Sequence, residues 1–356
     1  MKKKAPNRPI TLKDIAKVAE VNPSTVSRAM RNDPRISETV RKKIKNIAEK
    51  MEYRPNPFVS AFTAQVRGYR GAPHGVTIVM LDYDGDHSTD SSWQSIYIKG
   101  ITFRAEQLGY KTEIICLAKL NYSISRLNKI LHVRGIRGMI ILPVPERANF
   151  SEINCEHIAL ATISYSVKHL SINRTSLDYY QCMMLILNNL VKKGYKRIGF
   201  SIAKSDLRRF GERLFSGFLG WQQTLPKSKR IPVHINKKIG EYNETVEDRA
   251  SGRKDYMQWL EKHKPEVVVG SSARFHQWLL ELGFNIPDDI GFVSTGKLSE
   301  MPGVSGIDQK HFEIGTATTD LIIGQFHRNE YGPPNPEKVV MIEGSWLDGN
   351  TLKLST

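Results

Sequence analysis

The sequence predicts a small all-α head joined by a linker to an α/β core, in which two parallel-sheet subdomains face each other across a cleft. Three observations carry this reading. Helical periodicities crowd into residues 11–53, then "RPNPFVSAFTAQVRGYRGAPHG" (54–75) mixes prolines, glycines and arginines in the manner of a linker. From Gly75 onward, short β-branched runs alternate with helical patterns. The resulting division is a head at 1–54, a linker with a hinge helix at 55–72 and a core at 73–356. The core is expected to split into subdomains of roughly 73–174 plus 300–328, and 175–299 plus 329–356.

In the head, Thr11 reads as an N-cap with Asp14 as its capping-box partner, so a first helix runs from Leu12 to Glu20. Asn22 suits the cap of a second helix, and Pro23 fits just inside its start. At 3.6 residues per turn, Val26, Ala29 and Met30 share one face while Ser24, Ser27, Arg28 and Arg31 share the other. Hydroxyls and guanidinium groups on so small a helix suit an anionic partner. A third helix over about 37–51 is marked by Val40, Ile44, Ile47, Ala48 and Met51, with Ser37 as its cap. Phe58 to Arg67 has helical spacing, but a stretch of that length is not stable alone in water.

Charge supports an anionic partner for the head. The chain carries 52 Lys and Arg against 36 Asp and Glu, a formal +16. Residues 1–70 hold 17 of the basic groups and 6 of the acidic ones, while the remainder is close to balanced. A concentrated basic segment on a near-neutral body is the footprint of a polyanion-binding head. Cys116, Cys155 and Cys182 are scattered without CxxC spacing, which fits a reducing compartment. The charged start lacks a signal-type apolar stretch, and no run of about 18 apolar residues follows. A cytoplasmic protein without a membrane partner is expected.

In the core, "GVTIVMLD", "YKTEIICLA", "IRGMIILPV", "KRIGFSIA", "PEVVVGSS" and "DIGFVST" read as strands, with helices at 94–109 and 181–194 between them. Ligands bind at the carboxyl ends of strands in such sheets. Two near-motifs fall short of their chemistry. "GFVSTGKLS" (291–299) spaces Gly291, Gly296 and Lys297 as a phosphate-binding loop does, but Leu298 replaces the magnesium-binding hydroxyl. "DYDGDHSTD" (82–90) opens like a calcium loop, but His87 replaces the required glycine and Trp93 the bidentate glutamate. No His or Cys spacing suits a metal and no nucleophile–base motif stands out, so neither a cofactor nor enzymatic activity is expected.

"TLKDIAKVAEVNPSTVSRAMRNDPRISETVRKKI" (11–44), followed by "MEYRPN" (51–56), resembles the helix-turn-helix head of LacI-type transcriptional repressors. The body resembles the same family through "AEQLGY" (105–110), "RGIRGMIIL" (134–142), "LVKKGYKRIGF" (190–200), "ERLFSGF" (212–218), "LLELGFNIPDDIGFV" (279–293) and "EGSW" (343–346). The resemblance implies a periplasmic-binding-protein-like core, a homodimer, double-stranded operator DNA as partner and a small-molecule effector in the cleft. It places Pro23, Ser24 and Arg28 at base-reading positions of a helix in the major groove. Arg28 suits a fork onto a guanine edge, whereas Pro23 offers apolar contact alone. Thr11, Asn22, Thr25 and Ser27 fall at phosphate-contacting positions, with Arg31 added where the family usually has Asn. Glu20 stands where the family usually has Gly, which predicts a strained turn. Asn56 and Phe62 complete the DNA-contacting set, Phe62 at the position of the residue that wedges into the minor groove.

In the cleft the resemblance thins. Arg213 matches the family's effector-clamping arginine and Asp178 a cleft acid, but "SSAR" (271–274) replaces an Asn-Asp pair and "STGK" (294–297) an aspartate. Ser272, Arg274 and Lys297 therefore join Arg213 and Asp178 as effector candidates, and the added cations point to a sugar phosphate or acidic derivative as readily as to a sugar. An effector-blind core kept for dimerisation, and more remotely a carbohydrate-acting enzyme or a carbohydrate-binding module, are the alternatives. The tail after Trp346 has no heptads, which favours a dimer over a tail-built tetramer. Replacing the wedge should straighten the complex: Phe62→Ala is expected to reduce operator bending in a circular-permutation gel, and an unchanged bend removes Phe62 from that role.

Overall fold

The computed structural model describes residues 10–30, 33, 35–51, 53, 76–85, 93–239, 244–296 and 301–353. Arg31, Asn56, Phe62 and Lys297, the hinge helix and most of the calcium-like loop lie outside them. The chain divides into two compact units, residues 1–68 and 69–356.

The first unit holds three helices, α1 Leu12–Ala19, α2 Pro23–Met30 and α3 Glu38–Lys50. The α1 start is fixed by the Asp14 carboxylate, which accepts from the Thr11 N–H at 2.9 Å and the Thr11 hydroxyl at 2.7 Å. Ser37 stands at the N-cap of α3 without a side-chain capping bond, and its carbonyl takes the Arg41 N–H at 3.0 Å. Ile15, Val26, Ala29 and Ile44 from all three helices meet in one small core. Fully burying an aliphatic side chain of this size contributes about 1.5–3 kcal/mol, so a few such residues hold a head of this size together.

The second unit runs β1 Thr77–Asp82, α4 Trp93–Gln107, β2 Lys111–Cys116, α5 Ile124–Val133, β3 Gly138–Ile141, β4 Ala159–Ile163 and β5 Asn173–Leu177. It continues α6 Tyr179–Lys192, β6 Ile198–Ala203, α7 Lys204–Arg209, α8 Arg213–Gln223, β7 His234–Asn236, α9 Val246–His263 and β8 Val267–Gly270. It closes with α10 Ala273–Glu281, β9 Gly291–Ser294, β10 Ser305–Asp308, α11 His311–Arg328, β11 Val339–Ile342 and β12 Ser345–Leu347. Two six-stranded sheets result, in the orders β11-β5-β4-β3-β1-β2 and β12-β10-β9-β8-β6-β7. The pairings are parallel apart from β12 on β10. Helices cover the faces of these sheets, as parallel strands buried on both sides require.

All six apolar runs are strands, and β4, β5, β7, β10, β11 and β12 join them. The Asn-Arg-Thr-Ser-Leu of β5 has no strand pattern, yet all five residues are buried. Partners across the fold make that burial tolerable: Asn173 Oδ1 accepts from the Lys338 N–H, Arg174 pairs with Glu337 at 3.2 Å, and the Thr175 hydroxyl meets that of Thr318. The expected subdomain limits need correction at three strands. β10 pairs with β9 and belongs to the second sheet, β11 pairs with β5 and belongs to the first, and β5 runs on to Leu177. Short apolar strands carry no mark of which sheet they join; pairing partners decide it.

α11 seals the first subdomain against α4 at very short range. A Cβ built on Gly100 would lie 2.2 Å from the Phe312 carbonyl oxygen, and one on Gly315 would lie 2.4 Å from that of Tyr97. In the second subdomain His234 is buried among Tyr256, Trp259 and Phe275. Its Nδ1 lies 2.7 Å from Ser201 Oγ and its Nε2 3.1 Å from Asp255 Oδ2. Burial holds its pKa below 6.5, with Asp255 opposing part of the shift. The folded state therefore resists a proton that the unfolded chain takes up, and stability is lost as pH falls through 6.5. Urea midpoints of the full chain are expected to drop between pH 7.5 and pH 5.5, by at most about 1.4 kcal/mol per pH unit for this group. His234→Gln should remove part of that slope.

Candidate nucleic-acid interface and ligand cleft

The short turn between α1 and α2 sets the outward face of the head. Glu20 ends α1 in the left-handed region at φ 55°, ψ 41°, and its N–H returns to the Ala16 carbonyl. A side chain there costs about 1–2 kcal/mol relative to the right-handed conformation, so the expected turn strain is present. The Asn22 carbonyl accepts the Thr25 N–H at 2.8 Å and the Val26 N–H at 3.2 Å, which starts α2. With Val26 and Ala29 buried, Asn22, Pro23, Ser24 and Arg28 are exposed, and Thr25 and Ser27 are half-buried at the same helix. Thr11 is exposed but its N–H and hydroxyl both serve Asp14, so a phosphate contact has to displace one of these bonds. After α2, Arg35 forks onto Asp33 at 3.0 and 2.7 Å and holds that carboxyl far below the usual carboxylate range. This pairing keeps a negative charge beside the basic face neutralised.

In the core, a small cavity opens where the carboxyl ends of both sheets converge. Trp93, Tyr97, Pro143 and Ser164 line it from the first subdomain. Arg209, Phe210, Ser271 and Gly296 line it from the second, with Tyr179, Gln309 and His311 beside the chain crossings. Its volume is about 20 Å³, room for roughly one water molecule. Aromatic faces and polar side chains, several of them hydrogen-bonded within the protein, make up the wall. Tyr179 Oη lies 3.2 Å from Ser164 Oγ, and burial pushes the Tyr179 phenol up to about 12. Gln309 Nε2 donates to the Thr295 carbonyl at 2.8 Å, and the Ser271 hydroxyl donates to Asp206 Oδ2 at 2.8 Å. Ser164 itself sits at φ 64°, a strained conformation of the kind that clusters at functional sites.

The effector candidates read from the sequence are placed otherwise. Asp178 caps α6, accepting the Gln181 N–H at 3.0 Å, and Ser272 caps α10, accepting the Arg274 N–H at 3.3 Å. Arg274 extends toward Glu244 at 3.8 Å and Gln277 at 3.5 Å. Arg213 lies flat on Tyr165, its guanidinium carbon 3.5 Å from the ring centroid. None of these four lines the cavity, whose wall instead includes Arg209 and Trp93. The signal for Arg209 was available: "SDLRRF" (205–210) follows directly on a strand whose carboxyl end faces the cleft.

Ser201, His234 and Asp255 stand in line like the members of a hydrolase triad, but the geometry is wrong for one. The serine meets Nδ1 and the aspartate Nε2, the reverse of the catalytic order, and Ser201 is wholly buried within β6. The group is a buried structural network.

Comparison with known proteins follows this division into head and core. Residues 11–56 match the family model described as bacterial regulatory proteins, lacI family. The HTH-type transcriptional regulator MalR of Streptococcus pneumoniae is 26% identical over 263 residues, 73% of this chain and 74% of that one. The HTH-type transcriptional repressor CytR of Escherichia coli is 24% identical over 349 residues, 93% of this chain and 94% of that one. Among solved structures, a complex of the transcriptional regulator CelR with cellobiose superimposes with TM-score 0.59 at 14% identity, covering 97% of this chain and all of that one. The lac repressor dimer bound to operator and the anti-inducer ONPF gives 0.55 at 17%, covering 97% and 99%. No described helix is long and apolar enough to cross a membrane.

Relief of the turn is measurable. Glu20→Gly is expected to stabilise the head by about 1 kcal/mol, the left-handed cost less the extra freedom glycine gives the unfolded chain. Thermal unfolding followed by amide signals of α1 and α2 reads this, and no gain would mean that Glu20 is held by contacts that offset its backbone.

Proposed function

This chain belongs to the LacI family of bacterial regulatory proteins, and from that premise we propose that it is a homodimeric, cytoplasmic repressor whose operator affinity answers to a small molecule in the core cleft. The observation that carries the DNA-binding half is the exposure of Pro23, Ser24 and Arg28 at the start of α2, inside the matched segment 11–56. A dimer on operator is what one structure of this fold contains. Phe103 and Phe312, both exposed with rings 5.5 Å apart, supply apolar surface of the kind such an assembly covers. The Phe62 wedge and the phosphate contacts of Thr11, Asn22, Thr25, Ser27, Arg31 and Asn56 complete the proposed operator interface. Catalysis has no support: the sequence offers no nucleophile–base motif and the Ser201 network is sealed.

For the effector, one similar structure holds cellobiose. A second reading, a core kept for dimerisation alone, is favoured by one observation: the cavity as it stands has room for little more than a water molecule. Fluorescence anisotropy on operator DNA at fixed salt, with titrations of neutral sugars, sugar phosphates and amino sugars, separates the two. A shift of affinity by one compound establishes an allosteric regulator, and tight binding that no compound moves favours the second reading.

Arg28→Ala is expected to lower the ratio of specific to non-specific affinity by about 1–3 kcal/mol, roughly 5- to 150-fold, with non-specific binding largely kept. Equal losses on operator and on unrelated DNA would assign Arg28 to the backbone instead.

A further inference from the structure

Among the residues lining the core cavity, Arg209 contributes the sole guanidinium, and it stands where a ligand would. Its guanidinium carbon lies 5.1 Å from the Trp93 ring centroid and 4.9 Å from that of Phe210, both within cation–π range. Its terminal nitrogen donates to Asp206 Oδ1 at 2.5 Å, and Asp206 is buried, with its second oxygen held by Ser271. Arg209 Nε is buried and finds no hydrogen-bond partner. Trp93 belongs to the first subdomain, while Asp206 and Phe210 belong to the second. The guanidinium therefore closes the cleft as a bound molecule would. Two further arginines of the same segment bridge the same gap, Arg208 to Glu146 at 2.7 Å and Arg213 to the Tyr165 ring.

We propose that Trp93, Phe210 and Asp206 form a cation-binding cage, that Arg209 is its built-in occupant, and that the external ligand of the cleft is a small organic cation able to take Arg209's place. The argument is one of charge. Any molecule that expels Arg209 leaves the Asp206 carboxylate buried beside aromatic faces, and an unpaired buried charge is costly. A neutral sugar does not repay that loss, and a phosphate adds a second negative charge to it. A guanidinium or primary ammonium restores both the ion pair and the contact with Trp93; an amino sugar satisfies the same requirement. This inference rests on reading the cleft as the effector site and names the charge the effector carries there, in place of the anionic class that Arg213, Arg274 and Lys297 pointed to.

Chemical rescue in the full-length protein tests it. Arg209→Ala should lower the melting temperature of the core by about 3 °C or more. Millimolar ethylguanidine should restore at least half of that loss, whereas ethylurea, of the same shape without charge, should not. Adding Asp206→Asn should abolish the response to ethylguanidine. If Arg209→Ala does not fold, Arg209→Gln takes its place in the same comparison, since it keeps much of the side-chain length without the charge. No rescue, equal rescue by ethylurea, or undiminished rescue with Asp206→Asn overturns the cage. Operator anisotropy of the wild type with glucosamine, glucose and glucose 6-phosphate stands apart from this. Rescue together with unchanged operator affinity in all three keeps the cage and removes the effector reading, and a response to glucose 6-phosphate alone overturns the cationic assignment.

Discussion

The backbone passes between the two sheets of the core three times, and everything the cleft does depends on how tightly those passes are bound together. One follows β5 at Asp178, one follows β10 at Gln309 and Lys310, and one lies between β11 and β12 at Glu343 and Gly344. The Asp178 N–H donates to the Ile342 carbonyl at 2.8 Å, joining the first pass to the third. A Cβ on Gly344 would sit 2.7 Å from Ile307 Cγ2 and 2.8 Å from Cys182 Sγ, so only glycine lets the third pass lie against the second. Burial pushes the Cys182 thiol up to about 12, which keeps it a small apolar filler at this junction. Tyr179, Gln309 and His311 lie beside these crossings and also line the cavity. An occupant of the cavity therefore touches residues beside the segments that join the two subdomains.

How far the sequence discloses this molecule depends on whether a residue's task is local. The head was legible because capping, a three-residue apolar face and the match of short helices are all written within a few turns. The six apolar strands were legible because parallel strands buried on both faces must be continuous in β-branched residues. β5 was not, since its Asn, Arg and Thr are made acceptable by groups 143 to 165 positions away, and only its Ser by a neighbour, the Leu177 carbonyl. Asp178 and Ser272 carry an ambiguity of a related kind. An Asp or Ser at the carboxyl end of a strand suits a ligand and suits the N-cap of the next helix equally well, and here the nearer backbone N–H wins. Arg213 kept its place in the motif but lost its freedom to Tyr165, whose ring no local pattern could have put beside it.

The two units handle positive charge in opposite ways. In the head, Arg28 stands exposed with its carboxylate-poor face open to a polyanion. In the core, the arginines nearest the cleft are each turned onto a carboxylate or an aromatic ring. Positive charge beside the cleft is thus held in specific close contacts. Strained backbone accompanies them: Ser164 at φ 64° and Glu212 at φ 62° flank the Tyr165–Arg213 stack, positions where relaxed loops would not hold two side chains face to face.

The last two strands have a consequence for how the protein is made. β11 and β12 together span only nine residues, Val339 to Leu347, yet each completes a different sheet. The other strands of the first sheet have all been synthesised by Leu177, and its final edge strand arrives at Ile342. At ~5–20 residues per second, those roughly 165 residues take on the order of ten to thirty seconds to emerge from the ribosome. Throughout that interval β5 has an unpaired edge, with Asn173 and Arg174 still waiting for Lys338 and Glu337. The growing chain must keep an unfinished sheet from pairing with its neighbours on the polysome until its closing strand exists.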